Sequence, residues 1–155
     1  MPAPGHSAAP DTKADWFQAW YSLLQTNVAL MATLEQELQA TTGLTLTTYE
    51  VLATLNHQPD RRMRMQDLAG AVLLSKSGTT RVVGVLENGG MVTREIPRDN
   101  RRVTYAVLTL DGTTTVERAL PVFTRLVHEA FGQHLRPGDA RALIEILSRI
   151  PRRPS

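Results

Sequence analysis

Residues 75–88 constrain the fold more than any other stretch, because they have the pattern of a short helix with one unusually small polar face. Ser75 is a good N-cap residue, since its hydroxyl can accept a backbone N–H from the first turn. Gly89-Gly90 should end the helix near Asn88. We therefore expect a helix that packs on a core with one side and leaves the other side open.

The polar side of this helix carries short side chains where an ordinary solvated face carries Glu and Lys. At 100° per residue, the apolar side contains Gly78, Val82, Val85 and Leu86, and the polar side contains Ser77, Thr80, Arg81 and Gly84. Short hydroxyls and a guanidinium let a helix lie close to the floor of a DNA major groove. A solvated helix with few charges is the alternative interpretation.

The segment that follows has the pattern of two strands joined by a basic turn. Residues 91–96 and 103–108 are β-rich, and residues 97–102 combine turn-forming residues with three arginines. Such a loop can be simply solvated. Directly after a groove-shaped helix, however, it indicates a wing that places Arg98 or Arg101 in a narrow minor groove, where the negative potential is enhanced.

The ordered set of motifs resembles the MarR family of bacterial transcription regulators. The motifs are MQDLA at 65–69, LSKSGTTR at 74–81, LENGGMV at 86–92, DNRR at 99–102 and LT at 108–109. The resemblance covers nearly the whole chain. It implies a mainly α fold with a small β-hairpin wing (α+β), in which a winged helix-turn-helix lobe joins a helical dimerisation body. It also implies a homodimer that binds a pseudo-palindromic operator, usually as a repressor relieved by a small ligand or an oxidant.

We assign the DNA contacts to this helix and to the wing. Asp99 is expected to orient Arg101 through a charge-assisted hydrogen bond, and Thr79 stands where the family usually has an apolar residue. The recognition-helix contacts are Ser75, Lys76, Ser77, Thr79, Thr80 and Arg81, and the wing contacts are Arg94, Arg98, Asp99, Arg101 and Arg102.

The charge distribution agrees with double-stranded DNA as the partner. Residues 61–102 hold nine basic and four acidic side chains, whereas residues 1–60 hold one basic and six acidic side chains. A winged helix that binds another protein without reading DNA is the alternative. Gly84 and Gly89 favour that alternative, because each glycine costs a helix interior about 1 kcal/mol relative to alanine.

The rest of the chain divides into a helical body and two terminal segments. We expect a disordered arm at 1–10, a dimerisation region at 11–44 and 109–150, a DNA-binding domain at 45–108 and a tail at 151–155. A first helix of about 30 residues would be a rod of roughly 45 Å, too long to be enclosed in one small domain. Its excess apolar surface predicts a dimer interface, to which we assign Trp16, Trp20, Leu143, Ile144, Leu147 and Ile150.

Local signals place the boundaries of the other elements. Thr12 with Asp15 resembles a capping box for the first helix, and Gly43 should end it. Thr45 or Thr47 should cap a second helix, and Thr109 a long fifth one. Arg61–Arg64 is expected to form a short strand that pairs with the wing. Pro137 is expected at the N1 position of the last helix.

A ligand crevice is implied by the resemblance, between the first, second and fifth helices. The side chains that can give an aromatic, anionic ligand a stacking wall and a cationic partner are Trp20, Tyr21, Leu24, Tyr49, His57 and Arg125. The alternative is that these aromatic residues belong to the core and the dimer interface, because helical aromatic spacing is mainly a packing signal.

Several function classes are disfavoured by the sequence. The chain has no cysteine, which excludes thiol-based oxidant sensing and thiolate zinc sites. His128 and His134 are six residues apart and form no i, i+4 metal-ligand pair. No nucleophile elbow, phosphate loop or dinucleotide fingerprint is present, so we expect no enzyme activity, no cofactor and no metal. No apolar run or signal peptide indicates a membrane, and we expect a cytoplasmic, nucleoid-associated protein.

Overall fold

Helices dominate the computed structural model, which describes residues 12–72 and 74–151. The predicted arm, Asp11 and residues 152–155 of the predicted tail lie outside this range. The expected mainly α fold with a small β-hairpin wing is confirmed. In chain order the elements are α1 (Asp15–Thr42), α2 (Leu46–Asn56), β1 (Arg62–Arg64), α3 (Met65–Ala71), α4 (Lys76–Asn88), β2 (Val92–Glu95), β3 (Tyr105–Leu108), α5 (Leu110–Ala130) and α6 (Asp139–Ser148), with a 3-10 turn at Gly132–His134.

The sheet is antiparallel, with the strand order β1-β3-β2. β1 pairs with β3 so that Arg64 lies opposite Tyr105, and β2 pairs with β3 so that Val92 lies opposite Leu108. The predicted short strand beside the wing is therefore confirmed. Because β3 is central, it connects the residues just before α3 with the wing, and this fixes the wing relative to the helices that follow β1.

Hydroxyl side chains begin three of the helices, as the sequence predicts. Thr45, Ser75 and Thr109 each accept a hydrogen bond from a backbone N–H three residues later. The core below these helices is formed by fully buried aliphatic side chains from α1, α2, α3, α4 and the sheet. Its largest members are Leu38, Leu52, Leu55, Leu68, Leu86 and Val92.

Two predicted helix starts are wrong by a few residues. α1 begins at Asp15 after Ala14, with no side-chain cap, so Thr12 does not form the expected capping box. α6 begins at Asp139, and Pro137 is not its N1 residue. There the chain turns through Gly138, which has a φ of 94°, and Asp139 accepts the backbone N–H of residue 136 at 2.9 Å. The turn therefore delays the helix by two residues.

Long apolar surfaces remain uncovered at both ends of the chain. α1 buries only Leu34 and Leu38, and no residue of α6 is buried. Trp16 is 62% exposed and Ile144 is 69% exposed. None of the helices in the described residues is both long and apolar enough to cross a bilayer.

Candidate nucleic-acid interface

α4 presents an open polar face between α3 and the wing. The Ser75 hydroxyl accepts the Gly78 N–H at 3.0 Å and lies 3.2 Å from the Ser77 hydroxyl. Lys76, Ser77, Thr80 and Arg81 are all exposed. The helix ends before Gly90, which has a φ of 72°, a conformation that favours glycine. The sequence therefore identified the helix and most of its exposed side chains correctly.

The buried side of α4 differs from the predicted side by one position. Thr79, Val83 and Leu86 are buried, whereas Val85 is 58% exposed. The burial of Thr79 is possible because its hydroxyl donates to the Ser75 carbonyl at 3.0 Å, so no polar group is left unpaired. With 1% of its surface exposed, Thr79 has no route to DNA. Its assignment as a DNA contact is wrong.

Thr80 and Arg81, both exposed on α4, can make different contacts with the edge of a base. The Thr80 hydroxyl donates to the Lys76 carbonyl at 2.9 Å, which leaves its lone pairs and its methyl group for contacts outside the protein. Arg81 is exposed and has no hydrogen bond or ion pair within the described residues. Its planar fork can therefore donate two hydrogen bonds to one guanine.

The wing tip is organised by Asn100. Its side-chain oxygen accepts the Arg102 backbone N–H at 3.1 Å, and its carbonyl accepts the Val103 N–H at 3.2 Å. Arg98 and Arg101 are exposed and unpaired within the described residues. The prediction that Asp99 orients Arg101 is wrong, since no hydrogen bond or ion pair joins them in this part of the chain. The turn holds its shape through amide hydrogen bonds, so its arginines stay available.

Arg94 has a structural role that the sequence did not indicate. Its Nη2 donates to the Thr80 carbonyl at 3.1 Å, and its Nη1 lies 3.4 Å from Glu87 Oε2. Both partners belong to α4, while Arg94 belongs to β2. The guanidinium predicted to contact DNA therefore connects the wing to the recognition helix and fixes their relative position.

A basic groove of about 370 Å³ lies between the start of α3, the exposed face of α4 and the base of the wing. Lys76 and Thr80 line it from α4, Arg102 lines it from the wing and Arg64 lines it from the end of β1. Asp67 is the acidic side chain of this lining in the part of the chain described. The groove thus gathers cations from three separate elements along one concave surface, as a phosphate backbone requires.

Arg64 is the functional candidate that sequence reasoning missed. Its Nε donates to the Tyr105 hydroxyl at 3.2 Å, and this hydrogen bond raises the pKa of the Arg64 guanidinium further above its ordinary value. The Arg62 guanidinium lies over the same ring, 5.0 Å from its centroid. Tyr105 thus holds Arg64 in place on the ridge between the groove and a second cleft of about 550 Å³ beside the wing, which both arginines line.

The predicted ligand residues are only partly brought together. Tyr49 and His57 line an apolar groove of about 580 Å³ formed by α2, the end of α3 and Phe123 of α5. Trp20, Tyr21 and Leu24 are exposed on α1 and do not line this groove. Arg125 does not line it either, because Arg125 turns along α5 to an ion pair of 2.9 Å with Glu129. No lysine or arginine among the groove residues described therefore offers a cationic partner to an anionic ligand.

No metal site is apparent in residues 12–72 and 74–151. Within these ranges, no three His, Asp or Glu side chains come close enough together to hold an ion.

Comparison with known proteins gives a consistent result. A family model described as "MarR family" matches residues 42–102. The HTH-type transcriptional regulator YdgJ of Bacillus subtilis (strain 168), itself uncharacterised, is 28% identical over 112 residues, which are 72% of this chain and 66% of YdgJ. The match thus spans slightly less than two thirds of that relative.

Two solved structures from Streptomyces coelicolor are similar over most of their length. The MarR family transcriptional regulator AbsC is 37% identical, with a TM-score of 0.80 over 86% of this chain and 90% of AbsC. The MarR family transcriptional regulator Sco3205, solved in complex with DNA, is 29% identical, with a TM-score of 0.83 over 92% of this chain and 89% of Sco3205. All three similar proteins are described as regulators and none as an enzyme.

Proposed function

The chain belongs to the MarR family of transcriptional regulators, and from this premise we propose that it binds double-stranded DNA as a homodimer. In this proposal α4 enters the major groove, the wing tip enters the adjacent minor groove, and residues 45–108 form the DNA-binding lobe. Arg81 and Thr80 are the side chains placed to read base edges. Arg98 and Arg101 are placed to enter the minor groove.

The observation that carries this proposal is the basic groove beside α4. Arg64, Lys76 and Arg102 come from three elements and line one concave surface next to the exposed hydroxyls of the helix. A groove of this kind follows a phosphate backbone, while the adjacent helix reads bases. Its cations are three of the nine basic residues of the segment 61–102.

The exposed apolar faces of α1 and α6 support a homodimer. Trp20 is 52% exposed and Ile150 is 55% exposed, while Leu143 and Leu147 are only half-buried. Large contiguous apolar surfaces of this kind mark association sites. A two-fold dimer also places two recognition helices about 34–36 Å apart, one turn of DNA, and so requires a pseudo-palindromic operator.

We further propose that the regulator is a repressor whose operator affinity is lowered by a small ligand. The apolar groove between α2, α3 and α5 supports this step, because it lies between the DNA-binding lobe and the helices of the body. A ligand that binds one arrangement of these helices better than another shifts the spacing of the recognition helices. Deleting the gene should raise the transcripts next to the operator, and a fall would assign activation instead.

The test begins with the DNA fragments that the purified dimer retains from its own genome. Affinity for a retained fragment is then measured for Arg101→Ala and for the matched control Arg118→Ala, an exposed arginine on α5 outside the interface. Arg101→Ala should weaken binding and reduce the slope of log affinity against log salt by about 0.9 for each protomer engaged, because each protomer loses one phosphate contact. The control should bind like the unaltered protein, and all three should remain dimers on a sizing column.

Equal salt slopes for Arg101→Ala and the unaltered protein, with intact folds, would remove the wing from the mechanism. A monomer in solution would contradict the two-fold arrangement. A dimer that retains no DNA even at low ionic strength would instead favour a winged helix that binds another protein.

A further inference from the structure

The apolar groove of about 580 Å³ contains acceptor groups but no basic side chain other than a histidine in its described lining. Its walls are the rings of Tyr49 and Phe123 and the aliphatic side chain of Val72. Besides Tyr49, the charged or titratable side chains that line it are Glu50 of α2 and His57, which directly follows α2. Neither α3 nor α5 adds a charge to this lining.

The two rings form a continuous aromatic wall. Their centroids are 4.4 Å apart with planes at 35°. Tyr49 is only 4% exposed, yet its hydroxyl has no hydrogen bond within the described residues. Within the described residues the only fully buried side-chain polar atom without a partner is Asn56 Oδ1, so the Tyr49 hydroxyl keeps contact with solvent and is open to a bound molecule. The ring faces carry negative potential and attract cations.

Glu50 adds a formal negative charge at the edge of this wall. Its carboxylate has no hydrogen bond and no ion pair within the described residues. Glu50 is exposed beside the groove, and the partial loss of its solvation there raises the pKa of its carboxyl group. A cation placed against the carboxylate replaces that missing solvation.

His57 contributes a further acceptor. Its Nδ1 lies 2.6 Å from the Ala53 carbonyl oxygen, and because a carbonyl can only accept, Nδ1 carries the proton. In the neutral ring Nε2 is then left with a free lone pair. The groove therefore offers ring faces, a carboxylate and an imidazole acceptor to its occupant.

We propose that this groove binds an aromatic organic cation, such as an arylalkyl ammonium ion. The inference rests on the proposed function, since it names the chemical class of the effector. It differs from the aromatic acid that the sequence favoured, because the arginine expected to neutralise an acid is paired with Glu129 outside the groove. The occupant contacts Val72 at the end of α3, directly before the segment that leads to α4, and α5 on the opposite wall.

The experiment compares two probes of nearly equal shape and opposite charge by isothermal titration calorimetry with the full chain. Benzyltrimethylammonium is the cation and phenylmethanesulfonate is the anion. On the unaltered protein, the cation should bind at least about tenfold more tightly, since ring faces and a carboxylate attract it and repel the sulfonate. This comparison does not depend on the folding of any variant.

Two variants then test whether Glu50 is the source of the preference for the cation. Glu50→Gln should weaken cation binding by about twofold to fivefold, the range for one exposed charge contact. Glu117→Gln, which removes an exposed carboxylate on α5 outside the groove, should leave it unchanged. Circular dichroism confirms that both variants are folded. Equal losses in the two variants would overturn the assignment to this groove.

DNA binding is measured on the same samples so that the two proposals can fail separately. A protein that binds its operator but binds neither probe, or binds the sulfonate as tightly as the cation, overturns the inference and leaves the proposed function intact. A protein that binds the cation through Glu50 but no duplex overturns the proposed function alone.

Discussion

Gly112→Ala should destabilise the protein strongly, although alanine is ordinarily the better helix residue. Gly112 lies in the first turn of α5, and a Cβ at this position would be 2.1 Å from the Met91 carbonyl oxygen and 2.7 Å from Leu108 Cδ1. Ordinary contact begins at 3.4 Å, so the carbonyl would have to retreat by at least 1.3 Å. That carbonyl also accepts the Thr109 N–H at 3.1 Å, where α5 joins the end of α4.

The two costs can be estimated separately. Forcing a methyl group into a filled site costs about 1–3 kcal/mol, and weakening a part-buried backbone hydrogen bond costs about 1 kcal/mol. The gain in helix propensity offsets at most about 1 kcal/mol. The net loss should be about 1–3 kcal/mol, or a fall in Tm of about 2–12 °C for a chain of this size.

The matched control is Gly70→Ala in α3. A Cβ at Gly70 would meet nothing within 4 Å, so the substitution should stabilise the protein by about 0.4–1 kcal/mol. Thermal and urea unfolding followed by circular dichroism measure both variants. If Gly112→Ala unfolds at the same temperature as the unaltered protein or higher, the close packing of α5 on the end of α4 is refuted.

Three further predictions concern the interface and the groove. Thr80→Val should change the operator sequence preference measured in a binding selection, whereas Thr79→Val should not, because Thr80 is exposed and Thr79 is buried. A changed sequence preference in Thr79→Val would show that the assignment of α4 faces is wrong. Arg94→Ala should lower the free energy of unfolding by about 0.5–1.5 kcal/mol, because the variant loses the hydrogen bond and the ion pair to α4. Urea unfolding measures this loss, and an unchanged midpoint would mean that these contacts are not formed in solution. Partial burial raises the pKa of Glu50, so its ionised form costs stability once the pH rises past that pKa. Because Glu50 is exposed and its charge is screened by solvent, Glu50→Gln should gain at most about 0.5 kcal/mol at pH 8 and nothing near pH 4. A gain that grows toward acid pH would contradict this sign.

Features that depend on neighbouring residues in the sequence could be predicted. Thr45, Ser75 and Thr109 cap helices through bonds to residues three positions later, so each signal is complete within one turn. The order of helices and the wing followed from similar local patterns, but the expected pairing of Asp99 with Arg101 was wrong. The ion pair of Arg125 with Glu129 also has the i, i+4 spacing, and the sequence could have shown that this arginine has a partner.

Features that depend on the register between distant segments could not be predicted. Arg64 meets Tyr105 because β1 pairs with β3, across 41 positions of sequence. Arg94 points to the carbonyl of Thr80 only because β2 packs beside α4. The buried side of α4 was predicted wrongly for another reason. By sequence alone Thr79 counts as a polar residue, but its hydroxyl donates to the Ser75 carbonyl of the turn before it, so Thr79 can be buried in the core.

The central claim is that this chain binds duplex DNA through a basic groove and wing, and the salt dependence of its affinity for random duplex tests that claim most directly. Arg98 and Arg101 of the wing tip and Arg64, Lys76 and Arg102 of the groove are the cations placed to meet phosphates. If all five do so, log affinity should fall with log salt with a slope of about −4.5 for each protomer engaged. No binding at low ionic strength, or an affinity that does not change with salt, would contradict the account.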